Sequence, residues 1–310
     1  MLLVVPILVA CTSGPPLRDY ALPQAQVELV DTPFFPQTRY QCGPAALATV
    51  LGASGVHVAP DTLVPHIYIP ERKGSLQSEI IAVTRRHGRL PYVLAPDLHG
   101  LLAEVAAGTP VLVMQNLGLD SLPQWHYAVV IGYDTASDSL LLYSARDARL
   151  RMTRSRFEAT WERAQRWAMV AVAPGQVPVT AQTAPWLWAA SAFEELGQID
   201  SAEQAYKAAT QRWPDQALTW QALANASYAL GNLPAAEAAL RRAVQLAPSA
   251  ATHNNLAHVL QQQGCLAAAE MELERAHTMA DAGHFSVVLT RTEAAIKESA
   301  QSADQCPNPL

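Results

Sequence analysis

Charge is scarce in this chain. Only 15% of its 310 residues are Asp, Glu, Lys or Arg, against roughly 25% in an average soluble protein. Half are apolar, so the low charge belongs to a folded chain with a substantial core and not to a disordered one. Basic residues number 21 against 27 acidic ones, for a net charge of −6, and no run of like charges is longer than Arg85-Arg86 or Arg241-Arg242. That balance argues against binding along a nucleic-acid backbone. Long apolar runs are missing too: the longest, Leu2 to Cys11, is half of the ~20 residues a helix needs to cross a bilayer, which excludes an integral transporter. Glycine-rich phosphate loops, paired zinc-ligand motifs and dinucleotide fingerprints are absent, so neither a cofactor nor a nucleotide-driven activity is expected. At this length two domains are expected, each able to bury its own core.

The apolar start ends Leu8-Val9-Ala10-Cys11 and is followed by Thr12-Ser13-Gly14-Pro15-Pro16. It resembles a bacterial lipobox. The resemblance implies a signal over residues 1–10, cleavage before Cys11, acylation of Cys11, and a flexible tether over 11–27. Two or more acyl chains give stable anchoring, and Thr12 in place of Asp is similar to lipoproteins sent on to the outer membrane. The implied location is the cell envelope, on the outer membrane facing the periplasm. No Lys or Arg precedes Arg18, whereas secretory signals start basic, which leaves room for a start upstream of Met1. The plain alternative is a short hydrophobic helix or a frayed end. In an oxidising compartment thiols tend to pair. With Cys11 set aside, Cys265 and Cys306 form the candidate pair and Cys42 is left free; three unpaired thiols is the other reading.

From about residue 184 onward the chain is Ala-, Gln- and Glu-rich with helical periodicity, and it repeats. Gly197 and Gly231 lie 34 residues apart and Gly264 follows 33 later; Ala202, Ala236 and Ala269 stand five after each glycine, and Ala209, Ala243 and Ala276 twelve after. Pro214 and Pro248 close the first two units, with Asp281 in that slot of the third. Trp186 and Trp220 open the first two, with His253 in the third. Small residues let antiparallel helices approach, Gly permits the turn between them and Pro ends the second helix. The pattern resembles the tetratricopeptide repeat, giving an all-α solenoid over 184–300 with a capping helix, then a tail over 301–310. Such a solenoid either binds a protein partner on its concave surface or serves as a spacer. His253 and His258 read as ordinary helix residues.

A polar, Pro-punctuated stretch over 175–183 reads as a linker. Before it, residues 28–174 mix helix and strand signals. Val111–Gln115, His126–Tyr133, Ser139–Ser144 and Trp167–Val172 read as strands, and Gly43–Leu51, Leu76–His87, Leu98–Ala107 and Arg156–Ala164 as helices.

The run with most chemistry is Gln37-Thr38-Arg39-Tyr40-Gln41-Cys42-Gly43-Pro44-Ala45-Ala46. A polar loop leads into an apolar helix with Cys42 at its start, where unpaired amides and the helix dipole favour a thiolate. Gly43 allows close approach, and Pro44 suits a first helical turn. His126 follows 84 residues later in Trp125-His126-Tyr127-Ala128-Val129-Val130-Ile131-Gly132-Tyr133-Asp134. Together, in this order, the two elements resemble the bacteriocin-leader-processing cysteine peptidases, family thirty-nine of the papain-like thiol peptidases, over residues 28–173.

The resemblance implies an α+β papain-like fold, Cys42 as nucleophile and His126 as its base. It also implies a peptide or protein substrate, and an oxyanion site made of the Cys42 N–H and Gln37, the latter one residue closer to the Cys than is usual in the family. Gln37 as a solvated loop amide is the alternative. The family's Asp, in an Asp-Pro pair at the end of the strand after the His, is replaced here by Ser144-Ala145. A hairpin centred on Ala136 and Ser137 sets Asp147 opposite His126, making Asp147 the expected third member; Ser144 and Asn116 are the alternatives, and a solvated charge at the hairpin end is the bland one. Trp125 is expected either to shield the Cys–His pair or, more simply, to be a core aromatic. The expected whole is an exported, lipid-anchored cysteine peptidase with a repeat domain recruiting protein. The alternatives are a non-catalytic peptide-binding lipoprotein and an acyltransferase on the same pair.

Overall fold

The computed structural model describes residues 14–36, 41–72, 74–300 and 306. The chain divides into two compact units, Met1–Val172 with Pro178–Thr180, and Ala173–Val177 with Ala181–Leu310.

The first unit is an antiparallel sheet between helices. Its strands are β1 (Gln26–Glu28), β4 (Leu90–Val93), β5 (Val111–Asn116), β6 (Trp125–Asp134), β7 (Ser139–Ser144), β8 (Asp147–Thr153) and β9 (Ala168–Val172), with β2 (Tyr68–Ile69) and β3 (Gly74–Ser75) forming a small separate hairpin. The main sheet runs β4-β9-β5-β6-β7-β8, and β1 pairs with the far half of β6. The helices are α1 (Cys42–Ala53), α2 (Pro60–Ile67), α3 (Gln77–Arg86), α4 (Leu98–Ala106) and α5 (Arg154–Glu162).

Alternation along the strands decides what each face buries. Leu112, Tyr127, Val129, Ile131 and Met169 meet Leu47, Val50 and Leu51 of α1, Leu63 and Ile67 of α2, and Ile80 and Val83 of α3 in one core. On the other face Gln115 reaches α5, its Nε2 donating to Thr160 Oγ1 at 2.7 Å. Every position of α1 from Gly43 to Leu51 is buried, which explains why its sequence is apolar all round and not striped.

Residues 14–27 are not a free tether. Leu17 is fully buried in a short 3-10 helix, and its N–H donates to Asp138 Oδ1 at 2.8 Å. Further on, Tyr133 OH donates to the Gln24 carbonyl and the Thr135 N–H to that of Ala25. The expected linker is likewise divided between the two units: Glu104, with no exposed surface, accepts hydrogen bonds from the Thr180 N–H and hydroxyl at 2.8 and 2.6 Å. Burial pushes the Glu104 carboxyl up from its ordinary value.

The second unit is all helix: α6 (Thr183–Glu195), α7 (Ile199–Arg212), α8 (Ala217–Ala229), α9 (Leu233–Leu246), α10 (Ala250–Gln262), α11 (Leu266–Thr278) and α12 (Ser286–Ser299). The six alanines of the repeat register are all fully buried at helix contacts. Gly197, Gly231 and Gly264 turn between paired helices at φ of 69°, 75° and 79°, where a side chain would be strained. Asp281, in the slot that holds Pro in the other units, accepts from the Ala250 N–H. His253 is buried with its Nδ1 2.7 Å from a Glu272 carboxylate oxygen, and Arg275 reaches the same carboxylate at 2.6 Å. Cys265 and Cys306 form a disulfide, and Cys42 is the free cysteine among the described residues. No helix among these residues is long and apolar enough to cross a membrane.

Candidate active site

Cys42 is the first residue of α1, and Gln41 at the N-cap places no side chain on the opening amides. Pro44 brings no N–H and that of Ala45 donates to the Gln41 carbonyl, which leaves the N–H groups of Cys42 and Gly43 at the helix start. The site is completed by β6. Its ladder with β7 begins only at Val129↔Tyr143, which leaves the Tyr127 N–H without a strand partner there. This N–H, with those of Gly43 and Cys42, reaches the Cys42 sulfur. The residue before Tyr127 is His126, which stands at the same end of β6.

Electrostatics at this end differ from the sequence expectation. A helix-start thiol was expected to ionise easily, but burial outweighs the three amides and pushes the Cys42 thiol up. The same burial holds His126 down, to a pKa of about 4. Burial thus favours the neutral form of each group near pH 7.

The third position also differs. The pairing numbers behind Asp147 hold where they were drawn, at Asp134↔Ser139 and Tyr133↔Leu140. However, β7 stops at Ser144, and the chain reverses through Ala145, at φ 52°, into β8. Asp147 therefore sits exposed on a different strand, opposite Ser144. The His126 ring instead bonds Ser144: its Nε2 lies 2.9 Å from Ser144 Oγ. Asn116 is committed elsewhere, its side-chain oxygen accepting from the Gly118 and Gln124 N–H groups at 3.0 and 2.9 Å. Trp125 is 53% exposed, so it is not a core aromatic; alternation places it on the Tyr127 face of β6, toward α1. Gln37 and Cys11 lie outside the described residues. Among those described, no group of three or more His, Cys, Asp or Glu converges as a metal site would require.

Sequence reasoning missed the contribution of the β2–β3 hairpin. Ser75 packs on Gly43: a Cβ added there would lie 2.4 Å from Ser75 Oγ and 2.7 Å from its Cβ. Tyr127 OH ties the same hairpin down by donating to the Ser75 carbonyl at 3.2 Å. Gly43→Ala is therefore expected to cost about 1–3 kcal/mol by overpacking, more than the helix-propensity gain of under ~1 kcal/mol. Thermal or urea melts check this, and Ser75→Gly, unlike Ser75→Ala, should restore the loss because the added methyl meets the Ser75 Cβ as well as its hydroxyl.

Residues 29–169 match the model of the Peptidase C39-like family, and residues 183–226 and 217–249 match tetratricopeptide-repeat models. Among solved structures, a proposed C39-like peptidase from Bacillus anthracis aligns at 19% identity and a TM-score of 0.41, covering 48% of this chain and 98% of that one. The peptidase domain of Streptococcus ComA, a bifunctional ABC transporter involved in quorum sensing, aligns at 21% identity and a TM-score of 0.38, covering 46% of this chain and 98% of that one. No curated protein matches the chain. The chain thus carries a Peptidase C39-like domain followed by tetratricopeptide repeats.

Proposed function

We propose that the protein is a cysteine peptidase of the cell envelope, held to the membrane through Cys11, whose repeat unit recruits the protein it cuts. The observation that carries the enzymatic part is the placement, at one end of β6, of the Cys42 sulfur with three backbone N–H groups aimed at it, one of them that of Tyr127, and of the neutral imidazole of the preceding residue, His126. A neutral imidazole is the form a base requires. His126 takes the Cys42 proton as the sulfur bonds the substrate carbonyl carbon, and the carbonyl electron pair moves onto oxygen, where helix-start amides stabilise it. As the C–N bond breaks, His126 returns that proton to the leaving amine. Water, deprotonated by the same ring, then hydrolyses the thioester and frees Cys42. Gln37 is the family's second oxyanion donor and stays part of the proposal.

A proteome-derived peptide library incubated with the full chain and with Cys42→Ala tests the reading. Cleavage by the former and none by the latter is the expected result; an intact library leaves a binding module. The pH profile gives a second handle. His126 works only when deprotonated, and its pKa lies near 4, so kcat/KM should fall on the acid side at about pH 4 and not near the ordinary histidine value of about 6.5. Iodoacetamide should show no fast-reacting Cys42 thiolate below neutral pH, because burial raises that thiol.

A further inference from the structure

The family's usual carboxylate is missing beside His126, and what replaces it is a neutral hydroxyl. Ser144 is the last residue of β7, 7% exposed, and its Oγ is 2.9 Å from His126 Nε2. We infer that Ser144 is the positioning residue of this site, accepting a hydrogen bond from Nε2–H and so holding the neutral imidazole in the one tautomer that leaves the Nδ1 lone pair for the Cys42 proton. The inference rests on the peptidase reading for its catalytic consequence, but not for the tautomer itself.

The backbone makes the arrangement specific. Ser144 is fixed from two sides, by the end of the β6–β7 ladder and by pairing with Asp147 across the turn at Ala145. Gln115, directly across from His126 on β5, is buried and its Nε2 donates to Thr160 Oγ1 at 2.7 Å, on α5. Without an acceptor at Nε2 the two tautomers interconvert, and the one protonated at Nδ1 cannot accept a proton from Cys42. A hydroxyl orients as a carboxylate does, yet adds no negative charge to stabilise imidazolium. Proton transfer here therefore accompanies attack of the sulfur and does not precede it.

Nitrogen-15 NMR of the full chain, labelled at histidine and assigned by comparison with His126→Ala, reads this directly. The expected spectrum shows His126 with a protonated Nε2 and an unprotonated Nδ1 at pH 7. Ser144→Ala should average the two signals and lower kcat about 10-fold with KM within about twofold, while Ser144→Thr, which keeps the hydroxyl, should preserve both. A protonated Nδ1 in the unaltered protein, or a spectrum unmoved by Ser144→Ala, overturns the inference even if peptides are cut. The expected spectra without any cleavage would leave the inference standing and remove the peptidase reading.

Discussion

Replacing His126 with alanine should lower kcat/KM for peptide cleavage by about 10³–10⁴-fold, the scale on which loss of a base disables nucleophilic hydrolysis. The expectation is at the high end because of the electrostatics at α1. A thiolate already populated at pH 7 would retain much of its reactivity without the imidazole. Here burial keeps Cys42 protonated, so no nucleophile forms until a base takes the proton. Asp147→Ala provides the matched control: exposed on β8, it should leave kcat/KM within about twofold. Steady-state kinetics on one peptide substrate, with circular dichroism to verify folding, compares the two. A small loss in His126→Ala, or a large one in Asp147→Ala, would contradict the assignment of roles.

The second large effect lies in the repeats. The Cys265–Cys306 bridge closes 41 residues of sequence, a span that includes all of α11 and α12. Constraining a loop of that length in the unfolded chain stabilises the folded one by about 4 kcal/mol on the chain-entropy account. Reduction, or Cys306→Ser, should therefore loosen the last helix first: amide exchange in α12 should quicken by about 10²–10³-fold while α1 and β6 exchange as before. Cys306 is the better position to alter. Cys265 is 5% exposed within the repeat core, so a serine there would bury an extra hydroxyl and mix two effects.

Residues that state their environment in the sequence were placed well. Cys42 opens a helix because an apolar run begins there and Pro44 fits its first turn. The repeat register was legible because glycine, alanine and proline recur for steric reasons that hold in every unit. Other elements were passed over. β8 alternates polar and apolar residues, with Ala148, Leu150 and Met152 on its less exposed side and Arg149 and Arg151 outward, a period-two strand signal that a reading centred on apolar runs misses, and no glycine marks the sharp reversal at Ala145 that moves Asp147 away. β4 contains Pro91 and spans only four residues, and α2 carries Pro60 and Pro65; in each, tertiary burial overrides a local signal for a break. Ser144 escaped for a different reason. It is one of three groups the sequence offers to orient the ring, and only the end of β7 decides between them.

The bond that holds Leu17 to Asp138 also fixes which way an anchored molecule would look. Asp138 lies just beyond the Asp134 end of β6, while His126 stands at the Trp125 end, about 30 Å away at the usual rise per residue. From Cys11 to Leu17 the chain can stretch about 20 Å. On the proposal that Cys11 is anchored, that leash is shorter than the strand, so in a molecule standing upright on its tether the Trp125 end of β6 would be held off the bilayer. In that pose the proposed peptidase would meet polypeptides in the surrounding fluid and not segments embedded in the lipid beneath it.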